Sequence, residues 1–215
     1  MPYREEPAAE AARVDRGASA AVADWRKGLP VLAGRELTLR ELRSSDAASL
    51  HTLLTTEEVT QFMSPPPATI DAWEHFILWT HKQRADGTYV CFGVVPEGHD
   101  DAVGLFQARQ LEPGFGTADW EFALGFPFWG SGLFVEAAHL VAGFLFDVVG
   151  AHRLEARSAV GNHRGNAALK KIGAAQEGIL RKSLSHRDQY LDQILWTILD
   201  EDWRLARTGR PRRIH

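Results

Sequence analysis

The sequence has almost no cysteine, and its histidines do not form a recognised metal-binding motif. Its 215 residues include one cysteine, Cys91, which excludes an internal disulfide and a multi-cysteine zinc site. Cys91 lies in an apolar run, so we expect a buried thiol rather than a reactive one. No H-E-x-x-H motif occurs, and neither His139 nor His152 has metal-ligand spacing to a carboxylate, so no metal is expected.

Long apolar segments and an excess of basic charge are also missing. No apolar stretch reaches the roughly 18 residues that a membrane helix needs, and the charged N-terminus has no apolar signal-peptide core. We therefore expect a cytoplasmic protein without a membrane partner. The formal net charge of −4 argues against nucleic acid as a partner, and the basic stretch "RLARTGRPRRIH" is interpreted as a solvated tail.

The chain is long enough for one large domain. Residues 1–33 are rich in alanine, arginine and acidic residues and are interpreted as an N-terminal extension whose Trp25–Leu32 end packs on the domain. Residues 34–206 form the domain, and residues 207–215 form the basic tail. No internal repeat is found.

Hydrophobic periodicity gives the order β-α-α-β-β-β-α-β-α-β-β. Apolar and polar residues alternate in "ELTLREL", and a longer helix follows the capping residue Thr69. "TYVCFGVVP" and "AVGLFQARQLE" are predicted to form a hairpin. Because the order is neither strict βαβ alternation nor all-β, it predicts an α/β fold of about seven strands, with an antiparallel half and one parallel crossover.

The most informative stretch is "FWGSGLFVEA" at residues 128–137. Apolar residues recur with helical spacing after Gly132, so a helix begins there. Glycines immediately before a helix let an anion approach the free N–H groups and positive dipole end. The dinucleotide fingerprint fails because position 135 is valine, and the P-loop fails because positions 131 and 132 are serine and glycine. Alternatively, the glycines are present because the chain makes a tight turn before the helix, or because Gly132 adopts a positive φ.

The surrounding residues resemble the acetyl-CoA signature of the GNAT superfamily of N-acetyltransferases, most closely its RimJ/RimL type. "DWEFALGFPFWGSGLFVEA" resembles the pattern E-I-G-Y-x-L-x-P-x-x-W/Q-G-K-G-Y-A-T-E-A. "RLEARSAVGNHRGNAALKKIGAAQEGILR" resembles R-I-x-A-x-V-x-x-x-N-x-x-S-x-x-L-x-K-L-G-F-x-x-E-G-x-L-R. The similarity covers residues 35–205, because the element order also matches.

The resemblance implies a mixed, mostly antiparallel sheet flanked by helices. Its fourth and fifth strands would splay into a V that admits the pantetheine arm of acetyl-CoA, the expected cosubstrate. The pyrophosphate would lie on the backbone N–H groups of the loop. Asn162 would contact the CoA arm, although a turn residue is the alternative. The implied CoA-binding residues are Leu124, Trp129, Gly130, Ser131, Gly132, Leu133, Phe134 and Asn162.

The chain departs from the family pattern at several positions. Phe134 replaces a small residue and would have to turn into the core. Gly165 stands where a serine is expected, and Leu169 stands where many members have a tyrosine. No general acid is therefore visible, and the CoA thiolate would leave with protonation by water.

Acetyl transfer to an amine needs a base and donors for the oxyanion. Asp119 and Glu121 lie two apart on a strand and so share a face. Asp119 aligns with a frequent acidic residue of the family and is the first candidate for the base. Glu121 is the second candidate, or shapes the acceptor pocket; solvated strand carboxylates are the alternative for both. Backbone N–H groups near Ala123–Leu124 could stabilise the oxyanion.

The resemblance also indicates residues for the acceptor side. Phe62 and Met63 could wall the amine pocket or pack in the core. Tyr190 and Asp192 match a Y-x-D on the last strand, and Asp192 could fix a loop or line the acceptor site. Strand packing by Tyr190 and a surface carboxylate at Asp192 are the alternative.

The sequence thus predicts an acetyl-CoA-dependent N-acetyltransferase acting by direct transfer in a ternary complex. Its acceptor would be a protein N-terminal α-amine or a small-molecule amine, and a homodimer is compatible with the resemblance. The alternative is a non-catalytic acyl-CoA-binding module or sensor.

Overall fold

The computed structural model describes residues 24–187 and 189–207. Most of the expected N-terminal extension and all but Arg207 of the expected basic tail lie outside these residues. Within the described residues, Trp25 is buried in the larger core cluster. No helix among these residues is long and apolar enough to cross a membrane.

The described chain forms one mixed sheet of eight strands in the order β1-β2-β3-β4-β5-β6-β8-β7. The strands are β1 Leu32–Ala33, β2 Leu37–Glu41, β3 Tyr89–Pro96, β4 Gly104–Gln110, β5 Thr117–Leu124, β6 Arg153–Ala159, β7 Ala175–His186 and β8 Gln189–Leu199. The helices are α1 Ala47–Leu54, α2 Glu57–Thr60, α3 Ile70–Ala85, α4 Leu133–Phe144, α5 His163–Lys171 and α6 Asp200–Arg207. A π-helical turn, Leu145–Val149, prolongs α4.

The predicted fold class is confirmed, with one strand more than expected. The added strand is β1, whose Leu32 lies opposite Leu39 of β2. Two residues are too few to give an alternating pattern, so this strand had no periodic signal. Helix α6 was also not predicted, although its sequence begins with three acidic residues and ends with arginine.

Helices cover the sheet on both faces and bury two apolar clusters. The larger cluster packs α4, α5 and α6 against one face. The smaller cluster packs α1 and α3 against the other face of β3, β4 and β5. Strand β3 is buried along its whole length because it contributes alternate side chains to both clusters.

A buried ion pair fixes the start of α1 to the sheet. Both guanidinium Nη atoms of Arg40 donate to Asp46, each at 2.8 Å. Burial alone would raise the pKa of Asp46, but hydrogen bonds from Arg40 and from the N–H groups of Arg43 and Ala102 hold it below its usual value. The α1–α3 side of the molecule is thereby anchored to the β3–β4 connection.

Candidate active site

The glycine loop joins β5 to α4 in an irregular, solvent-exposed conformation. Gly130 and Gly132 have φ angles of +79° and +95°, a region that favours glycine. A Cβ built on either residue would meet no described atom within 4 Å. The glycines therefore permit a left-handed backbone beside open space, which satisfies the positive-φ explanation and leaves room for a ligand.

Several backbone amides of this loop have no hydrogen-bond partner in the described part of the chain. No acceptor within the described residues bonds the N–H groups of Gly130, Ser131, Gly132 or Phe134. The other two expected amides differ, because the Trp129 N–H donates to the Phe126 carbonyl at 3.1 Å and the Leu133 N–H contacts Ser131 Oγ at 3.4 Å. Four amides thus remain open at the positive end of a twelve-residue helix.

Aromatic side chains set the position of the loop. The Trp129 indole N–H donates to the Leu124 carbonyl at 2.6 Å, which ties the loop to the end of β5. The guanidinium carbon of Arg164, in the first turn of α5, lies 4.6 Å from the centroid of the Trp129 ring. This places an exposed cation beside the open amides.

Phe134 turns into the core, as its bulk requires. Its ring packs 4.5 Å from Phe122 and 5.7 Å from Phe106, measured between centroids. The large side chain at this position therefore leaves the exposed side of the loop open.

Strands β5 and β6, which correspond to the fourth and fifth of the seven expected strands, form the expected V. They pair in parallel only from Thr117–Asp119 to Arg153–Glu155. Beyond this vertex, β5 continues to pair with β4, whereas β6 continues to pair with β8. The V opens toward the end of the sheet that carries the glycine loop.

The hydrogen-bond ladder shows which amides of β5 face the opening. The Gly125 N–H bonds Val103 of the β4 side. Because antiparallel pairs alternate, the N–H groups of Phe122 and Leu124 point away from β4, into the V, while that of Ala123 points toward β4. The N–H of Leu124 thus faces the V, whereas that of Ala123, also considered for the oxyanion, does not. The N–H of Phe122, which also faces the V, was not predicted.

Asp119 lies at the vertex, where two arginines enclose it. Its side chain is buried, and Oδ2 accepts hydrogen bonds from Nε and Nη2 of Arg109, at 3.0 and 2.7 Å, and from Nη1 of Arg157, at 3.1 Å. The carboxylate thus links β4, β5 and β6. This geometry disfavours the base role considered for Asp119, because protonation would weaken three charge-assisted hydrogen bonds.

Glu121 lies on the same face but is exposed. Its Oε2 accepts a hydrogen bond from Gln107 Nε2 at 2.7 Å, and Gln107 Oε1 accepts one from the Tyr89 hydroxyl at 2.6 Å. Burial raises the pKa of Tyr89, which keeps it a proton donor in this chain. Of the two candidate carboxylates, Glu121 is the one that an acceptor can reach.

Asn162 acts as the N-cap of α5. Its Oδ1 accepts the Gly165 N–H at 2.9 Å, which is the turn-residue alternative considered for it. A Cβ on Gly165 would lie 2.6 Å from Asn162 Nδ2, so the glycine leaves room for the capping amide. Leu169 is buried in the core cluster under α4.

The acceptor-side candidates do not form one enclosed pocket. Met63 packs against the α1–α3 cluster, whereas the Phe62 ring approaches Gly161 in the β6–α5 connection. Tyr190 is 66% exposed. Asp192 accepts the Lys182 N–H at 2.8 Å and so fixes the irregular β7–β8 pairing, which is the loop-fixing alternative.

Several residues around the V were not predicted from the sequence. Gln107 and Arg109 lie directly opposite Glu121 and Asp119 in the β4–β5 register, and a correct hairpin register would have found them. No local sequence pattern indicated a role for Arg157, Ser158 or Arg164. No group of three or more His, Cys, Asp and Glu side chains within residues 24–187 and 189–207 could hold a metal ion.

Comparisons with known proteins agree with this geometry. The sequence profile of the acetyltransferase (GNAT) domain matches residues 36–175. The uncharacterized N-acetyltransferase p20 of Bacillus licheniformis is 23% identical over 168 residues, which are 78% of this chain and 94% of that protein.

Solved structures of acetyltransferases share the fold. The ribosomal-protein-S5-alanine acetyltransferase of Vibrio fischeri superposes with a TM-score of 0.73 at 18% identity, over 81% of this chain and 98% of that one. Mycobacterium smegmatis RimJ, solved in complex with CoA-disulfide, superposes with a TM-score of 0.70 at 21% identity, over 81% of this chain and 90% of that one.

Proposed function

Because the chain belongs to the acetyltransferase (GNAT) family, we propose that it transfers the acetyl group of acetyl-CoA to a primary amine by direct transfer in a ternary complex. The observation that carries this proposal is the set of four unpartnered loop amides at the N-terminus of α4, beside the opening of the V. Such a helix terminus stabilises phosphate. The acceptor is a protein N-terminal α-amine or a small-molecule amine.

In this proposal, acetyl-CoA binds along the glycine loop and the V. The amides of Gly130, Ser131, Gly132 and Phe134 would hold the pyrophosphate, with Arg164 as a nearby countercharge. The open V between β5 and β6 would take the pantetheine arm. Acetyl-CoA supplies the acetyl group as a thioester, which an amine can attack.

Glu121 is the base in this proposal. It accepts the proton that the ammonium or the attacking amine must lose, and Gln107 holds its Oε2 in place. As the C–N bond forms, the oxyanion is stabilised by the N–H groups of Phe122 and Leu124. The C–S bond then breaks, its electron pair goes to sulfur, and water protonates the thiolate, since Gly165 and Leu169 offer no acidic hydroxyl.

Two observations bear on the class of the acceptor. The fold is shared with a ribosomal-protein-S5-alanine acetyltransferase, which favours an N-terminal α-amine. The exposed carboxylate of Glu121 favours a cationic acceptor in either case. Phe62, whose ring approaches Gly161 in the β6–α5 connection, and the exposed Tyr190 would contact it.

Two measurements test the proposed function. Calorimetry and thermal denaturation with acetyl-CoA should show binding and an increase in Tm. Release of the CoA thiol should then be measured with a panel of N-terminal peptides and small amines. Absence of both binding heat and thermal shift at millimolar acetyl-CoA would contradict the assignment.

A second candidate function is a non-catalytic acyl-CoA-binding module. The glycine at position 165 and the buried leucine at position 169 favour it, because neither can protonate a leaving group. Thiol release well above hydrolysis with any acceptor would exclude this module.

A further inference from the structure

The side chain of Ser158 has a buried hydroxyl without a hydrogen-bond partner. The residue is 7% exposed, and no described group bonds its Oγ. Its backbone is paired with Ile194 of β8, so only the hydroxyl is unsatisfied. Native proteins keep few such groups because an unpaired buried hydroxyl costs stability, and each one calls for an explanation.

Ser158 stands in the opened part of the V. The last parallel pair is Asp119 with Glu155. Three residues further along each strand are Phe122 and Ser158, about 10 Å beyond the vertex. The level of Ser158 is therefore between the vertex and the glycine loop, which follows the end of β5.

The hydroxyl lies on the face of the sheet that carries the glycine loop and α4. Side chains alternate along a strand, so Ser158 shares a face with Leu154 and Ala156. Both belong to the core cluster under α4. Phe134 and Leu133, which begin α4, pack against the same cluster. The opposite face carries Glu121.

We propose that the Ser158 hydroxyl hydrogen-bonds an amide of the pantetheine arm of acetyl-CoA. This inference rests on the proposed function, in which the arm runs from the loop toward the vertex. A serine hydroxyl both donates and accepts, so it can pair with an amide carbonyl or N–H. The sequence pattern that the chain resembles has valine at this position, where this chain has a serine.

We expect Ser158→Ala to increase the stability of the protein and to weaken its binding of CoA. Removing an unsatisfied hydroxyl should raise the Tm of the protein alone by about 2–4 °C. The same change should raise the Kd for CoA about tenfold, because the arm loses a partner. A residue with only a structural role would not change stability and affinity in these opposite senses.

A matched control is available in Thr56, whose buried Oγ1 also lacks a partner within the described residues. It precedes α2, away from β6. Thr56→Val should raise the Tm as Ser158→Ala does, and it should leave the Kd for CoA unchanged.

The experiment measures calorimetric Kd values for CoA and for adenosine 3′-phosphate 5′-diphosphate, which lacks the pantetheine arm. Ser158→Ala should weaken only the binding of CoA. Equal weakening of both ligands, an unchanged Kd for CoA, or a lower Tm of the variant alone would overturn the inference. If the parent protein bound CoA no more tightly than the fragment, the arm would have no site in the V and the inference would fail. If the parent protein bound neither ligand, the proposed function itself would fail.

Discussion

Two carboxylates that lie two residues apart on one strand have opposite environments. Asp119 is buried and receives three hydrogen bonds from two guanidinium groups. Glu121 is exposed and receives one hydrogen bond from a neutral amide. A general base must lose few favourable hydrogen bonds when it is protonated, and the substrate must be able to reach it. At the scale of single residues, these requirements separate Glu121 from Asp119.

Replacing Glu121 tests the base directly. Glu121→Gln should lower kcat by about 10²- to 10⁴-fold, because the amide cannot take the proton of the amine. The Kd for acetyl-CoA should be unchanged, since Glu121 lies on the face opposite α4. Steady-state thiol release and calorimetry measure the two quantities. Glu97→Gln, in the β3–β4 turn, is the control, and full activity of Glu121→Gln would contradict the assignment.

Arg164 should act on CoA binding rather than on catalysis. Arg164→Ala should raise the Kd for CoA about five- to tenfold and reduce its dependence on salt, because a cation next to the phosphates is lost. The Tm should change little, since the contact with Trp129 is at the surface and is worth about 0.5–1 kcal/mol. Lys82→Ala, on α3 at the other face of the sheet, removes the same charge without this effect. Equal Kd values for both variants would exclude Arg164 as a phosphate partner.

At the scale of elements, the segment from β5 through α4 determines the candidate site. The apolar spacing after Gly132 predicted α4, and the glycines predicted an open loop before it. The structure adds that Gly132 adopts a positive φ of +95°. In the proposed function, Gly132 both adopts this left-handed conformation and lets a phosphate approach the backbone, so a mutation must distinguish the two roles.

Gly132→Ala, compared with Gly150→Ala, makes that separation. Both glycines have a positive φ, and neither would have a described atom within 4 Å of an added Cβ. Each variant should therefore lose about 1–2 kcal/mol of unfolding free energy. Only Gly132→Ala should also raise the Kd for acetyl-CoA, by about tenfold, because Gly150 lies at the other end of the same helical segment. Equal Kd values in the two variants would show that the loop is only a turn.

Local sequence patterns predicted most helices and strands, but they did not predict side-chain contacts between neighbouring strands. Arg109 and Asp119 are ten residues apart, and their contact depends on the β4–β5 register. Arg157 reaches Asp119 from 38 residues away, across the parallel pair. Contacts at these sequence separations produce no periodic pattern from which they could be predicted. The sequence therefore predicts that Asp119 shares a strand face with Glu121, but it does not predict the two arginines that enclose Asp119.

At the scale of the whole molecule, the sheet consists of two halves that meet at the vertex of the V. Strands β1–β5 form one half, and β6–β8 form the other. Three parallel residue pairs join them. Charged side chains continue across this junction, from Arg109 through Asp119 and Arg157 to Glu155. We infer that Asp119 stabilises the junction from which the V opens.

Asp119→Asn should therefore act on stability rather than on proton transfer. The neutral amide loses the charge-assisted part of three hydrogen bonds, and we expect unfolding free energy to fall by about 1–3 kcal/mol. Asp147→Asn is the matched control, because Asp147 also contacts two arginines, Arg204 and Arg207, but is 48% exposed. That substitution should cost less than about 0.5 kcal/mol. Denaturant titration measures both values, and thiol release at saturating substrate measures kcat. A folded, equally stable Asp119→Asn protein with kcat reduced by orders of magnitude would return the base role to Asp119 and remove it from Glu121.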